Sequence, residues 1–189
     1  PPFQFWMTHT PDGAAHDNPF AAGEVANKVV AYSGDAVSMY THVGTHIDTL
    51  NHFGLHGRVW NGFEAAKHLG DRGWDVNGAD KIPPIIARGV LLDIAMLKGV
   101  DRLPPAYRIT AADIEAFLTK AEVTLGRGDV VLVRTGMGAD FRSPEAYKRA
   151  PAALDLEAAR FLAGKGAMII GVDVMNPGPL PAGLDDNEL

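Results

Sequence analysis

The sequence predicts an α/β fold, a central sheet flanked by helices, and three observations carry that prediction. The runs Gly89–Ala95, Gly128–Thr135 and Ala167–Val174 are apolar almost throughout and lack the polar alternation of half-exposed strands, which is the pattern of buried strands. Segments with a helical period lie between them, as connections that cover a sheet. The length, 189 residues with 47% hydrophobic and 21% charged side chains, suits a single globular domain, residues 1–189, with its own core.

Residues 1–35 read as a loop-rich N-terminal arm, because Pro1, Pro2, Pro11, Gly13, Pro19, Gly23 and Gly34 interrupt any period. Its aromatic residues Phe3, Phe5, Trp6 and Phe20 require something to bury against: first the domain's own core, with a partner subunit or a ligand as alternatives. Val37–Thr49 is β-branched and aromatic around Gly44, predicting extended chain with a bend. Phe63–Gly70 predicts a short helix closed by Gly70, and residues 70–81 a polar connection. Thr110 is placed to cap a helix running to about Val123, with Ile114, Phe117, Leu118 and Ala121 on one face. After the second apolar run a glycine-rich turn and an irregular stretch reach Ala153, and Leu156–Gly164 is an amphipathic helix leading into the third run.

Composition narrows the chemistry. A net charge of −6, without a basic block, disfavours nucleic acid as a partner. The absence of cysteine removes disulfides, thiolate metal sites and a thiol nucleophile, so any metal must use nitrogen and oxygen ligands. No apolar run approaches a membrane span, and the opening residues lack the basic start of a signal peptide, so a soluble, cytoplasmic protein is expected. There is no Gly-x-Ser-x-Gly elbow, phosphate loop or dinucleotide fingerprint.

Four of the seven histidines, His42, His46, His52 and His56, fall within fifteen residues, with Asp48 among them. Val43, Ile47, Leu50 and Phe53 are interleaved, which predicts that the segment is tied to a core. An ideal helix would scatter these groups and contains too many poor helix formers. Extended chain puts 42, 46, 48 and 52 on one face, but at about 3.3 Å per residue His42 and His46 lie about 13 Å apart, too far for one ion. His42 joins His46 and Asp48 only if the chain folds back, and Gly44 is the residue able to take the required dihedrals. Three N/O ligands would leave positions open for water and substrate, the catalytic rather than the structural pattern. Hydrogen-bonded histidines without metal are the plain alternative, and Asp48 can equally be a hydrogen-bond partner of neutral imidazoles. His52, one step outside the cluster, is suited to proton transfer, whereas His56 reads as a loop residue and His9, His16 and His68 as ordinary.

The segment His42-Val43-Gly44-Thr45-His46-Ile47-Asp48-Thr49-Leu50-Asn51-His52-Phe53 resembles the signature of the metal-dependent cyclase family, which includes bacterial kynurenine formamidases and isatin hydrolases. The resemblance continues through Gly128–Gly136 and Gly171-Val172-Asp173 in the family's order. It implies a swivelling β/β/α domain, a homodimer or homotetramer, and zinc or manganese as cofactor. It implies His42, His46 and Asp48 as metal ligands and His52 as the acid/base group. Leu50 stands where the family usually has proline. The family's C-terminal part, with a further histidine and a glutamate or similar ligand, is expected to be absent from residues 1–189, leaving the number of ions undetermined.

The resulting expectation is a hydrolase of the C–N bond of a small aryl formamide or cyclic amide, with no nucleic-acid or membrane partner. Phe53 and Trp60, with Trp6 or Phe5 from the arm, are candidates to stack on a flat substrate. A lactone or ester hydrolase of the same family, and a non-catalytic metal or small-molecule binder, are the rival readings.

Overall fold

The structure, a computed structural model, describes residues 3–13, 29, 32–148 and 151–175. The chain falls into two compact units, Pro1–Ala79 and Asp80–Leu189. In the first, β1 (Gln4–His9) pairs antiparallel with β2 (Gly34–Ser38), Trp6 opposite Ala36. A six-residue strand thus stands in the stretch expected to be loop. Phe3, Phe5 and Trp6 are 67%, 58% and 47% exposed, so the domain's own core does not take them up. Phe20 and His16 lie outside the described residues.

After Ser38 the chain leaves the sheet, and the extended run expected to Thr49 is replaced by consecutive bends at residues 41–45. Two small hairpins follow: β3 (Gly54–Leu55) with β4 (Arg58–Val59), then β5 (Leu69–Gly70) with β6 (Gly73–Trp74). His56 and Gly57, both at positive φ, make the first turn. The helix expected over 63–70 is only Ala65–His68; Gly70 belongs to the second hairpin, and Leu69 takes the cap position in extended geometry. That hairpin, and a single turn at Ala79–Lys81, give regular structure to the polar connection expected over residues 70–81.

The second unit contains a three-stranded parallel sheet in the order β11 (Ile169–Val172), β9 (Val130–Arg134), β7 (Gly89–Asp93). Parallel strands need crossovers, and helices Ala111–Ala121 and Leu156–Gly164 supply them. Thr110 caps the first helix in a reciprocal box with Asp113, and Asp155 caps the second through the amide of Ala158. Ile114, Phe117, Ala158 and Leu162 pack on Val90, Leu92, Val131 and Val133. Leu118 is half-buried beside this core, while Ala121, expected on the same face, is exposed in the last turn.

Two sequence expectations for this sheet are corrected. The first strand stops at Asp93, because that carboxylate accepts the amide of Met96 at 2.8 Å and starts the short helix Ile94–Leu97. The apolar runs are not buried on both faces either: Leu91 and Leu132 are 55% and 45% exposed, alternating with buried neighbours. The stretch before Ala153 holds the helix Pro144–Tyr147, and β10 (Ala153–Leu154) pairs parallel with β8 (Arg108–Ile109).

An ion pair ties the turn before β9 to the start of β7. Arg88 donates from Nε and Nη2 to the two carboxylate oxygens of Asp129 at 2.9 and 2.5 Å, and Gly126 N adds a bond at 2.7 Å. The Arg88 guanidinium, followed by the Gly126 amide, holds the Asp129 carboxyl down at about 2. A depressed folded-state value contributes stability that is present above the unfolded value of about 3.9 and lost as pH falls toward 2. Acid denaturation between those limits is therefore expected to be shallower for Asp129→Asn than for the wild type, measured by circular dichroism at fixed urea.

Candidate metal centre

Local chain geometry gathers the histidine segment. Gly44 takes φ +61°, the fold-back anticipated at this residue, and the amide of His52 donates to the carbonyl of Thr49 at 2.9 Å. The groups meet because the chain bends, and not because they share one face of a strand. Val43, Ile47, Leu50 and Phe53, expected to tie the segment to a core, are all exposed. The anchor is polar. Asn51 is buried, its Nδ2 donates to the carbonyl of Val76 at 2.9 Å, and its Oδ1 accepts from Thr49 Oγ1 at 2.5 Å.

Three ligand atoms converge. His42 Nδ1 and His46 Nε2 are 3.2 Å apart, and Asp48 Oδ1 lies 3.0 Å from the first and 3.2 Å from the second. Atoms bound at about 2.0–2.2 Å around one tetrahedral ion lie roughly 3.3–3.5 Å apart, so this near-equilateral triangle needs only small adjustment to receive a cation. Proton counting points the same way. His46 Nδ1 is 3.0 Å from the carbonyl oxygen of Gly44, which can only accept, so the ring proton sits on Nδ1 and Nε2 turns a lone pair into the triangle. A lone pair beside a carboxylate oxygen is repulsive unless a proton or a cation lies between them. The donor set, two imidazoles and a carboxylate, fits a divalent metal ion.

His52 stands beside the triangle without joining it. Its ring centroid is 4.1 Å from that of His42, and its Nε2 is 3.9 Å from Asp48 Oδ2, beyond hydrogen-bond reach. Its side chain is 40% exposed, open to solvent and to small molecules. Tyr40 also lies beside His42, with ring centroids 5.1 Å apart.

Next to these groups lies a cleft of about 480 Å³ whose walls include Leu50, Phe53, Leu55, Val59 and Trp60, with Arg58 among them. Of the candidate stacking residues, Phe53 and Trp60 therefore line one cavity; Trp6 and Phe5 lie on β1 and are not among its lining. Arg58 and Glu64 were not singled out by sequence reasoning. The guanidinium of Arg58 donates from Nη1 to the carbonyl of Gly62 and from Nη2 to Glu64 Oε1, both at 2.9 Å. The Glu64 carboxyl is held below its ordinary range chiefly by Lys67, with Arg58 adding to the effect. The His56-Gly57 turn, directly before Arg58, was the one available signal. Of the other histidines, His68 pairs through Nδ1 with Asp75 Oδ1 at 2.9 Å, and His56 forms a turn.

Among the described residues no helix is long and apolar enough to cross a membrane. The profile of the Cyclase family matches residues 3–179. No curated protein matches the sequence. Among solved structures, one described as a novel cyclase aligns with TM-score 0.77 and 22% identity over 97% of this chain and 62% of its own. An isatin hydrolase bound to the product analogue thioisatinate aligns with TM-score 0.61 and 17% identity, over 94% of this chain and 58% of its own. Isatin hydrolase A from Ralstonia solanacearum gives TM-score 0.63 and 19% identity, again over 94% and 58%. This chain thus spans about three-fifths of the length of the structures it matches, and at these identities they establish a shared α/β fold. With a family profile that runs through both compact units, the chain belongs to the cyclase family.

Proposed function

We propose that the chain acts as a metal-dependent hydrolase that cleaves the C–N bond of a small aryl formamide or cyclic amide. The observation that carries the reading is the triangle of His42 Nδ1, His46 Nε2 and Asp48 Oδ1, with the free imidazole of His52 alongside. Those three atoms would hold a zinc or manganese ion, which when bound lowers the pKa of a coordinated water and polarises a carbonyl. The single profile match across both units supports treating them as parts of one catalytic domain.

The chain's own residues divide the remaining work. The Gly44 carbonyl keeps His46 in the tautomer that presents Nε2. His52 takes a proton from the attacking water and passes it to the leaving nitrogen, a role suited to an imidazole that stands 3.9 Å from Asp48 and is not fixed by a hydrogen bond to it. Phe53 and Trp60 offer apolar faces to a flat acyl or aryl group in the adjoining cleft. The exposed apolar side chains of the β1–β2 hairpin, Phe3, Phe5, Trp6 and Met7, support assembly as a homodimer or homotetramer.

The test is elemental analysis of protein purified without chelator or a histidine tag, followed by turnover on an aryl formamide, a cyclic amide and a lactone. About one or two equivalents of zinc or manganese and amide turnover are expected. His52→Ala should keep its metal while kcat falls about 10²- to 10⁴-fold. A folded, metal-free wild type overturns the reading in favour of a binding protein, and unchanged turnover in His52→Ala removes the proton-transfer role.

A further inference from the structure

We propose that the cleft beside the ligand cluster selects a flat apolar group that carries a carboxylate, and that Arg58 is the residue that meets the charge. The proposal deepens the hydrolase reading by naming the class of compound its site takes, and rests on that reading for the chemistry that follows binding. Thr49, Leu50 and Phe53, immediate neighbours of Asp48 and His52 in the chain, lie along the cleft, which joins its wall to the segment that carries the candidate ligands.

Leu50, Phe53, Leu55, Val59 and Trp60 supply apolar surface, with Phe53 and Trp60 64% and 66% exposed and available to stack. Arg58 is the one charged side chain among the described residues that line the cleft. A guanidinium has five N–H donors in a rigid fork. Gly62 O and Glu64 Oε1 take one each, which fixes the orientation of the head group and leaves donors free for a planar anion. The ordering that a flexible arginine would otherwise undergo on binding has already taken place.

Glu64 does not cancel that charge. Its other oxygen, Oε2, is 2.8 Å from Lys67 Nζ, so two cations share one carboxylate and the group keeps a net positive charge. In a chain of net charge −6 this is a local departure, placed at an apolar cleft. An uncharged ring would fill the walls and leave the free donors of Arg58 unused, whereas an aryl carboxylate satisfies both.

Binding of benzoate and of benzyl alcohol, read by tryptophan fluorescence of the purified protein with its metal, tests the proposal without requiring turnover. Wild type is expected to prefer benzoate about tenfold, the order of one charge-assisted contact at a partly exposed site. Arg58→Met should bring the two dissociation constants close to parity. Glu64→Gln, which keeps an acceptor for Arg58 but removes the competing charge, should widen the preference; it decides the matter if the Arg58 variant does not fold. Equal binding of the two compounds by wild type, a preference that survives in Arg58→Met, or one that does not widen in Glu64→Gln overturns the proposal. A protein that shows the predicted pattern but cleaves no amide refutes the hydrolase reading alone, and one that cleaves formanilide without preferring benzoate refutes the anion site alone.

Discussion

Asp48→Ala is expected to empty the metal centre and to lower turnover by more than about 100-fold, since losing even an outer partner of a metal ligand costs about 10- to 100-fold. Asp48 supplies the only negative charge in the triangle, and its Oδ1 faces both imidazole nitrogens, at 3.0 and 3.2 Å. Two neutral imidazoles remain in the variant, too few ligands to hold zinc or manganese firmly. The side chain is 49% exposed and packs in no core, so with metal removed from both proteins the stability should stay within roughly 0.5 kcal/mol of the wild type. Elemental analysis and kcat/KM check the first part and equilibrium unfolding the second. A variant that keeps both metal and turnover would show that the ion is bound elsewhere.

The largest effect on stability is expected at Asp173, just beyond the C-terminal end of β11. Its Oδ1 accepts from the amide and the hydroxyl of Thr135 at 2.8 and 2.7 Å, and its Oδ2 from the amide of Gly136 at 2.9 Å, with Gly138 N more distant at 3.4 Å. Thr135 is 1% exposed, so its donors have no solvent to turn to. Nor can the turn move aside: Gly136 takes φ +82°, and a Cβ there would strike the carbonyl oxygen of Asp101. Asp173→Ala leaves buried donors without an acceptor and should cost about 3–4 kcal/mol. Asp173→Asn keeps one acceptor oxygen and should lose roughly half as much. Urea unfolding with an unchanged m-value checks both; a loss below about 1 kcal/mol for the alanine variant would show that water replaces the carboxylate.

What could be read from the sequence was whatever local chemistry determines. The cap at Thr110, the three apolar strands and the fold-back at Gly44 all follow from side-chain type or from dihedral freedom at one position. The spacing of His42, His46 and Asp48 was informative because a ligand set confined to seven residues leaves few backbone paths that bring it together. Features that depend on pairing across distance were hidden. Nothing in Gln4–His9 announces β2 as its partner, and burial of its aromatics was expected where the strand leaves them exposed. Asn51, the anchor of the ligand segment, looked like one more polar loop residue because its partner is the carbonyl of Val76. Asp93 carried the signal for a helix start, but the apolar residues on both sides of it masked that signal. Arg58 and Glu64 acquire significance only when a hairpin and a short helix bring them together at the cleft.

The compactness of the ligand segment has a further consequence, for the unfolded chain. Closing a loop of n residues costs an entropy that grows only as the logarithm of n, so His42, His46 and Asp48, so close in sequence, can meet around an ion at little cost even without the rest of the fold. A denatured chain that retains some affinity for the ion subtracts from the stabilisation that binding confers on the folded state. Saturating metal should thus raise the melting temperature by less than its affinity for the native protein implies. The apolar sheet around Leu92 and Val131, built from residues distant in sequence from that loop, is held by the packing of its own core.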